Sequence, residues 1–201
     1  MSDNPQISET REMTDQVPAI LSERRTVFQF RPDPISESLV SKWLASAVWA
    51  PNHHMTEPWR FYVVGGQAKE RLAQLNGALQ AEKHADKPHV ERIRTKGEQE
   101  FLDPPVVIVV TQPGAEERDP VGRDEDYAAC CLAAYNLMLA AWSDGVGSGW
   151  STGRLSRAAE ARDILGLESG ERIVAVLRLG HPLRVPPMQR QPWSDHTRWL
   201  T

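Results

Sequence analysis

The spacing of hydrophobic positions changes several times along the chain, and each change marks an element. Leu39, Val40, Trp43, Leu44, Ala47 and Val48 recur at helical spacing, predicting a helix over residues 36–49 with Ser36 as its N-cap. Residues 105–111 form the run Pro-Val-Val-Ile-Val-Val-Thr, as expected of a central strand buried on both faces. Residues 172–180 alternate as a strand, with Ile173, Ala175, Leu177 and Leu179 expected on one face. A helix over residues 123–144 opens with Asp124, Glu125 and Asp126 at the positive end of its dipole and closes at Gly145. It is apolar nearly all round. That suits the central helix of a domain or the core of a subunit interface.

Weaker patterns fill the remainder. Residues 69–81 and 90–102 read as helices with a narrow apolar stripe (Leu72, Leu75, Leu79, Val90, Ile93, Phe101, Leu102), and Pro88 lies between them. Short strands are expected over 59–64 and 148–152, and a helix over 156–165 stopped by Gly166. A first helix is expected over 15–23, with Thr14 or Asp15 as cap, Pro18 in its first turn and Ile20 and Leu21 facing inward. Residues 1–14 read as a flexible arm and residues 15–201 as one domain. Trp43 reads as core, and Trp49 as core or pocket wall. Beyond Gly180-His181-Pro182 the chain is proline-rich and irregular and carries Trp193 and Trp199 between arginines. Such a tail needs a surface to lie on, and a partner subunit would supply one.

Composition narrows the classes. The 201 residues are 40% hydrophobic and 25% charged, with net charge -4, so there is no basic footprint for nucleic acid and no polybasic membrane patch. The polar N-terminus has no apolar core of a secretory signal, and the longest apolar stretch, residues 128–142, is short of a membrane span. The two cysteines, Cys130 and Cys131, are adjacent within a helix and offer neither a disulfide framework nor zinc spacing. A cytoplasmic location follows as the expectation. His84 and His89 lack neighbouring ligands for a metal.

Three segments carry candidate chemistry. The loop after Ala50 is pinned by Pro51 and Pro58 and holds Asn52, His53, His54, Thr56 and Glu57, all able to hydrogen-bond. Arg24-Arg25-Thr26 stands at a helix end, where guanidinium forks suit phosphate oxygens or complement the helix dipole. Gly145-Val-Gly-Ser-Gly-Trp-Ser-Thr-Gly153 permits close backbone approach, but it follows a helix and lacks the dinucleotide fingerprint. A phosphate for the arginines, a polyol for Thr26 and Asn52, and a flat ring against the Pro51 loop and Trp150 together describe FMN.

The order of Arg24-Arg25-Thr26-Val27-Phe28-Gln29-Phe30, Ala50-Pro51 with Trp59-Arg60-Phe61, Gly147-Ser148-Gly149-Trp150, and Arg172-Ile173-Val174-Ala175 with Gly180-His181-Pro182 resembles the FMN-dependent nitroreductase family, its short single-domain members most closely. The resemblance covers residues 18–192. It implies an α+β fold, with a mixed, mostly antiparallel sheet flanked by helices, in an intertwined homodimer holding two FMN at the interface. By position, Arg24, Arg25 and Thr26 would hold phosphate and ribityl from one subunit. Asn52, His53 and Glu57 would approach the ring from the other. Trp150, Ser151 and Thr152 would line the far side, and Arg190 would be a second phosphate contact.

The activity implied is ping-pong transfer of hydride from NADH or NADPH through flavin to a nitroaromatic, quinone or related small-molecule acceptor, with no dedicated catalytic nucleophile. Acceptor choice is expected in residues 67–103 and 113–122. Flavin fragmentation, dehalogenation and non-enzymatic flavin binding are the alternatives on the same fold. Phe28, Met55 and Glu57 depart from the common family pattern, which has arginine, asparagine and glutamine there. A carboxylate at position 57 would oppose the charge of reduced flavin unless it faced away or were protonated.

Overall fold

The computed structural model describes residues 18–200. The expected arm over residues 1–14 and the cap at Thr14 or Asp15 lie outside them. The elements are α1 (Ala19–Glu23), α2 (Glu37–Ala47), β1 (Arg60–Val64), α3 (Gly66–Lys83), α4 (Val90–Leu102), β2 (Val106–Gln112), α5 (Pro120–Ser143), β3 (Gly147–Ser151), α6 (Ala159–Leu165) and β4 (Arg172–Gly180). The four strands form one antiparallel sheet in the order β1-β2-β4-β3. A parallel bridge from Thr26 to Ser148 extends it at the β3 edge and makes it mixed. This is the expected α+β architecture.

The sheet is the middle of three layers. All seven residues of β2 are buried, as its uninterrupted apolar run requires. Val106, Ile108 and Val110 face α2 and α5, where Trp43, Ala47, Ala133, Leu137 and Ala141 complete one core. Val107 and Val109 face the opposite side, against Leu72, Phe101 and Ala161 from α3, α4 and α6 and Leu155 from the 3-10 turn Arg154–Arg157. Ala175, Leu177 and Leu179 share the α5 face as expected, but Ile173 does not. The register slips between Val110 and Thr111, which pair with Ala175 and Ile173, so Val174 is an extra residue. A one-residue bulge reverses every side chain beyond it and sends Ile173 to the other core.

Local chemistry sets the boundaries. The Ser36 hydroxyl accepts from the Leu39 amide, the expected N-cap of α2. Asp119 caps α5 by accepting from the amides of Val121 and Gly122, so Pro120 takes the first helical position and the helix starts earlier than expected. Gly166 in the left-handed region ends α6. The charged helices α3 and α4 pair closely despite few apolar residues. A Cβ on Gly77 would lie 2.8 Å from the Arg94 carbonyl oxygen, and Asn76 donates to the Gly97 carbonyl at 2.7 Å. Leu21, expected to face inward, is 44% exposed, because five-residue α1 has no buried face within this chain. Trp49, expected as core or pocket wall, is 85% exposed.

Asp144, just past the end of α5, ties that helix to α2. Its carboxylate accepts from Lys42 at 2.7 Å and from the indole of fully buried Trp43 at 2.8 Å. The Lys42 ammonium first, and the Trp43 indole second, hold the Asp144 carboxyl below the usual carboxylate range. Asp144→Ala leaves a buried indole N–H without an acceptor and should destabilise the fold by about 1–3 kcal/mol. Asp144→Asn keeps an acceptor and should cost less. A carboxyl with a depressed folded pKa stabilises fully above its unfolded value and loses that contribution as pH falls through the folded one. Urea midpoints should therefore show the gap between wild type and Asp144→Asn shrinking from about pH 4 downward. A gap constant from pH 7 to 3 would contradict the assignment.

Candidate functional site

The loop between α2 and β1 is anchored at both ends by buried residues, Ala50 on one side and Pro58 and Trp59 on the other. Between them His54, Met55 and Glu57 have φ of 55°, 53° and 44°. Non-glycine residues there cost about 1–3 kcal/mol each, so surrounding contacts must hold them. Asn52 Oδ1 accepts from the Glu57 amide at 3.0 Å, and Asn52 Nδ2 lies 3.4 Å from the Ala50 carbonyl. The Thr56 hydroxyl donates to Asp126 at 2.8 Å, and His53 Nδ1 lies 2.8 Å from Glu125 Oε2. The rings of His53 and His54 stack with centroids 3.8 Å apart. Asp126 is buried and also takes Arg118 Nε at 3.1 Å.

The acidic first turns of α5 are therefore the clamp on this loop, beyond what its two prolines supply. By sequence, Glu125 and Asp126 read only as partners of the helix dipole. An aspartate entering an apolar helical run was the available signal that a buried polar partner waits nearby. Glu57 itself is exposed, with its carboxylate free to be solvated.

The arginine segment lies elsewhere. Arg25 Nη1 donates to the Ser22 and Arg24 carbonyls at 2.6 and 3.0 Å, so its guanidinium closes the C-terminus of α1. Arg24 differs: its Nη1 is buried with no hydrogen-bond partner among the described residues. Beside it Thr26 bridges to Ser148, the Val27 amide donates to the Ser148 carbonyl at 2.9 Å, and the Ser148 hydroxyl is likewise buried and unpaired. Such orphaned donors mark a place for an anion or a polar ligand. Gly149 permits this crossing, since a Cβ there would lie 2.6 Å from the Val27 carbonyl oxygen and 3.0 Å from the Phe28 ring. The close approach its glycines allow is thus to the chain's own segment. Phe28 covers the guanidinium of Arg178 at 5.2 Å, which pairs with Glu100 at 3.2 Å and whose pKa burial lowers.

Trp150 and Ser151 are partly buried and Thr152 exposed, all at or just beyond the end of β3. Trp150 packs on the α5 core, and Ser151 faces the other side, toward Phe101, Leu155 and Val176. Arg190 is exposed in the tail. One chain therefore gathers Arg24, Thr26, Trp150 and Ser151 at the β3 edge of the sheet. Asn52, His53 and Glu57 belong to the loop leading into β1, at the opposite edge. Three inter-strand steps separate the edges by about 14 Å.

The comparisons with known proteins agree with this architecture. A model of the Nitroreductase family matches residues 21–181. The chain is 30% identical over 174 residues to "Putative NAD(P)H nitroreductase YfhC" of Bacillus subtilis (strain 168), covering 86% of this chain and 87% of that protein. The crystal structure of a nitroreductase-like family protein from Bacillus cereus is also 30% identical, with TM-score 0.76 over 90% of this chain and 94% of that one. The FMN-dependent nitroreductase NfnB from Mycobacterium smegmatis, solved in complex with NADPH, shares the fold at 21% identity, with TM-score 0.72 over 97% and 100% of the two chains. The chain belongs to the nitroreductase family of oxidoreductases.

The two cysteines are held protonated by their surroundings. Cys130 is fully buried beneath the loop, its thiol 2.7 Å from the Pro58 carbonyl, and burial pushes the pKa of both Cys130 and Cys131 up. Thiols kept protonated and covered are poor nucleophiles. Native protein at pH 8 should resist a disulfide-exchange reagent at both positions and react at both in denaturant. Rapid labelling of the folded protein would contradict this.

Proposed function

We propose that this chain is an FMN-dependent oxidoreductase working as a homodimer, passing hydride from NADH or NADPH to a nitroaromatic, quinone or related small-molecule acceptor. The observation that carries the reading is the buried Nη1 of Arg24 beside Thr26, which like the Ser148 hydroxyl has no hydrogen-bond partner among the described residues. These donors fit a phosphate and the hydroxyls next to it. Fixed guanidinium and hydroxyl donors are what an anchored phosphate ester needs. The family relationship supplies the remaining support.

The dimer follows from the split. A loop held rigid by α5 at one edge and a phosphate cradle at the other complete one cleft only when a second copy brings its loop across. Exposed Trp49, Met55, Leu132, Trp193 and Trp199 would be covered by that association.

FMN, when bound, would supply the redox chemistry between the nicotinamide and the acceptor. The protein contributes holding and orientation. Arg24 and Thr26 hold the phosphate and ribityl end. Trp150, backed by the α5 core, offers a flat wall that excludes water, with Ser151 and Thr152 following it. Asn52 spends both ends of its amide on keeping the loop in shape, so it acts as a positioning residue. Glu125 orients His53, which leaves Nε2 to face the ring or a substrate oxygen. Arg25, engaged at the end of α1, contributes charge more than contact, and Arg190 reaches the phosphate only if the tail folds over it.

Arg24→Ala removes a charge-assisted contact worth about 1.5–3 kcal/mol. The variant should remain a folded dimer and bind FMN at least about tenfold more weakly, read by flavin fluorescence titration. Unchanged FMN affinity would refute the phosphate assignment. Anaerobic addition of NADH or NADPH should bleach the flavin spectrum, and a nitro or quinone acceptor should restore it. Loss of FMN itself during turnover would instead indicate flavin fragmentation.

A further inference from the structure

Beside the α5 turns that hold the Pro51–Pro58 loop, a cleft of about 400 Å³ opens between the start of α5, the 3-10 turn Arg154–Arg157 and the start of β4. Four arginines line it: Arg123, Arg157, Arg162 and Arg172. Elsewhere Arg31, Arg60, Arg94, Arg118, Arg154 and Arg178 each have a carboxylate within 3.3 Å, whereas several surface arginines, Arg71 and Arg92 among them, have none among the described residues. None of the four in the cleft is paired with a carboxylate among the described residues. Arg162 donates to the carbonyls of Glu168 and Glu171, and Arg172 lies 4.1 Å from the centroid of the Tyr127 ring. The side chains of Arg123 and Arg157 make no hydrogen bond among the described residues.

Three carboxylates also line the cleft: Glu116, Asp124 and Glu171. Glu171 is fully engaged on its inner side, accepting from the hydroxyls of Tyr62 and Thr111, the amide of Glu168 and the guanidinium of Arg60. Glu116 and Asp124 are exposed. Arg123 adds a second oddity. It stands in the first turns of α5, where the helix dipole disfavours a cation. Four guanidiniums outnumber the two exposed carboxylates of this cleft, and one of the four stands at the helix end that disfavours a cation, which suits the cleft to an anion. Their planar forks suit phosphate in particular.

We propose that this cleft is a phosphate-binding site. The phosphate could be carried by a nucleotide or by a free phosphorylated small molecule. Ser156, which lines the cleft, follows Thr152 by four residues, so the 2′-phosphate of NADPH is one source within the same region of the chain. The proposal rests on the cleft itself and stands apart from the flavin reading.

The test uses the purified, flavin-loaded protein and two variants, Arg157→Ala and Arg123→Gln, with thermal midpoints to confirm folding. Calorimetric titration with inorganic pyrophosphate and with 2′,5′-ADP requires no turnover, so its outcome is independent of the redox reading. Wild type should bind pyrophosphate, more weakly as salt rises, and each variant should lose at least about tenfold in affinity. If the variants also raise KM for NADPH and leave KM for NADH unchanged, the reductant's 2′-phosphate is the occupant. If pyrophosphate binding falls and both KM values stay the same, the site stands and takes a different phosphorylated ligand. The proposal is overturned if wild type binds neither probe, as it would if a second copy's carboxylates filled the cleft, or if the variants bind as wild type does.

Discussion

Strand β2 sits at the centre of this protein with every residue buried, and its two faces belong to two different cores. A strand so enclosed must keep a partner on each side, and here those partners are β1 and β4, with β3 beyond β4. The width of that sheet is the constraint under which the site is built. It holds the Pro51–Pro58 loop at the β1 edge and the Arg24–Thr26 segment beyond β3, at the other edge. Each segment is held by local contacts, the loop through Glu125 and Asp126 of α5 and the arginine segment through its bridge to Ser148.

Helix α5 links these features. Its apolar body packs the sheet, its acidic first turns clamp the loop, and Asp144 just past its end binds Lys42 and Trp43 of α2. One helix thereby sets the position of the loop relative to the core. Rigidity of this kind matters under the proposed two-copy cleft, because disorder in either half would weaken the whole. The strained conformations of His54, Met55 and Glu57 show that the loop's shape is imposed by its contacts and is not the backbone's own preference.

Much of this was legible from residue pattern. The run over residues 105–111, the Ser36 cap, buried Trp43, and the bounds of α4 and β4 all follow from periodicity and capping chemistry, which are local. What was not legible depends on contacts between distant segments. The bulge that turns Ile173 away exists only where β4 meets β2, so alternation alone placed it wrongly. The hold of Glu125 and Asp126 on the loop needs the fold to bring α5 there. Arg24 and Arg25 are adjacent and chemically alike, yet Arg25 closes a helix and the Nη1 of Arg24 meets no partner among the described residues. Only three-dimensional placement separates them. The four arginines of the second cleft are likewise scattered between positions 123 and 172.

The claim that one cleft takes its halves from two copies can be tested by subunit complementation. Arg24→Ala chains and chains carrying a disrupted loop, such as Thr56→Pro, are each expected to bind FMN weakly alone. In a heterodimer of the two, one cleft carries both defects and the other carries neither. The account therefore predicts one FMN bound per heterodimer with wild-type affinity. If both clefts of the heterodimer bind weakly, each chain builds its own site and the account is contradicted.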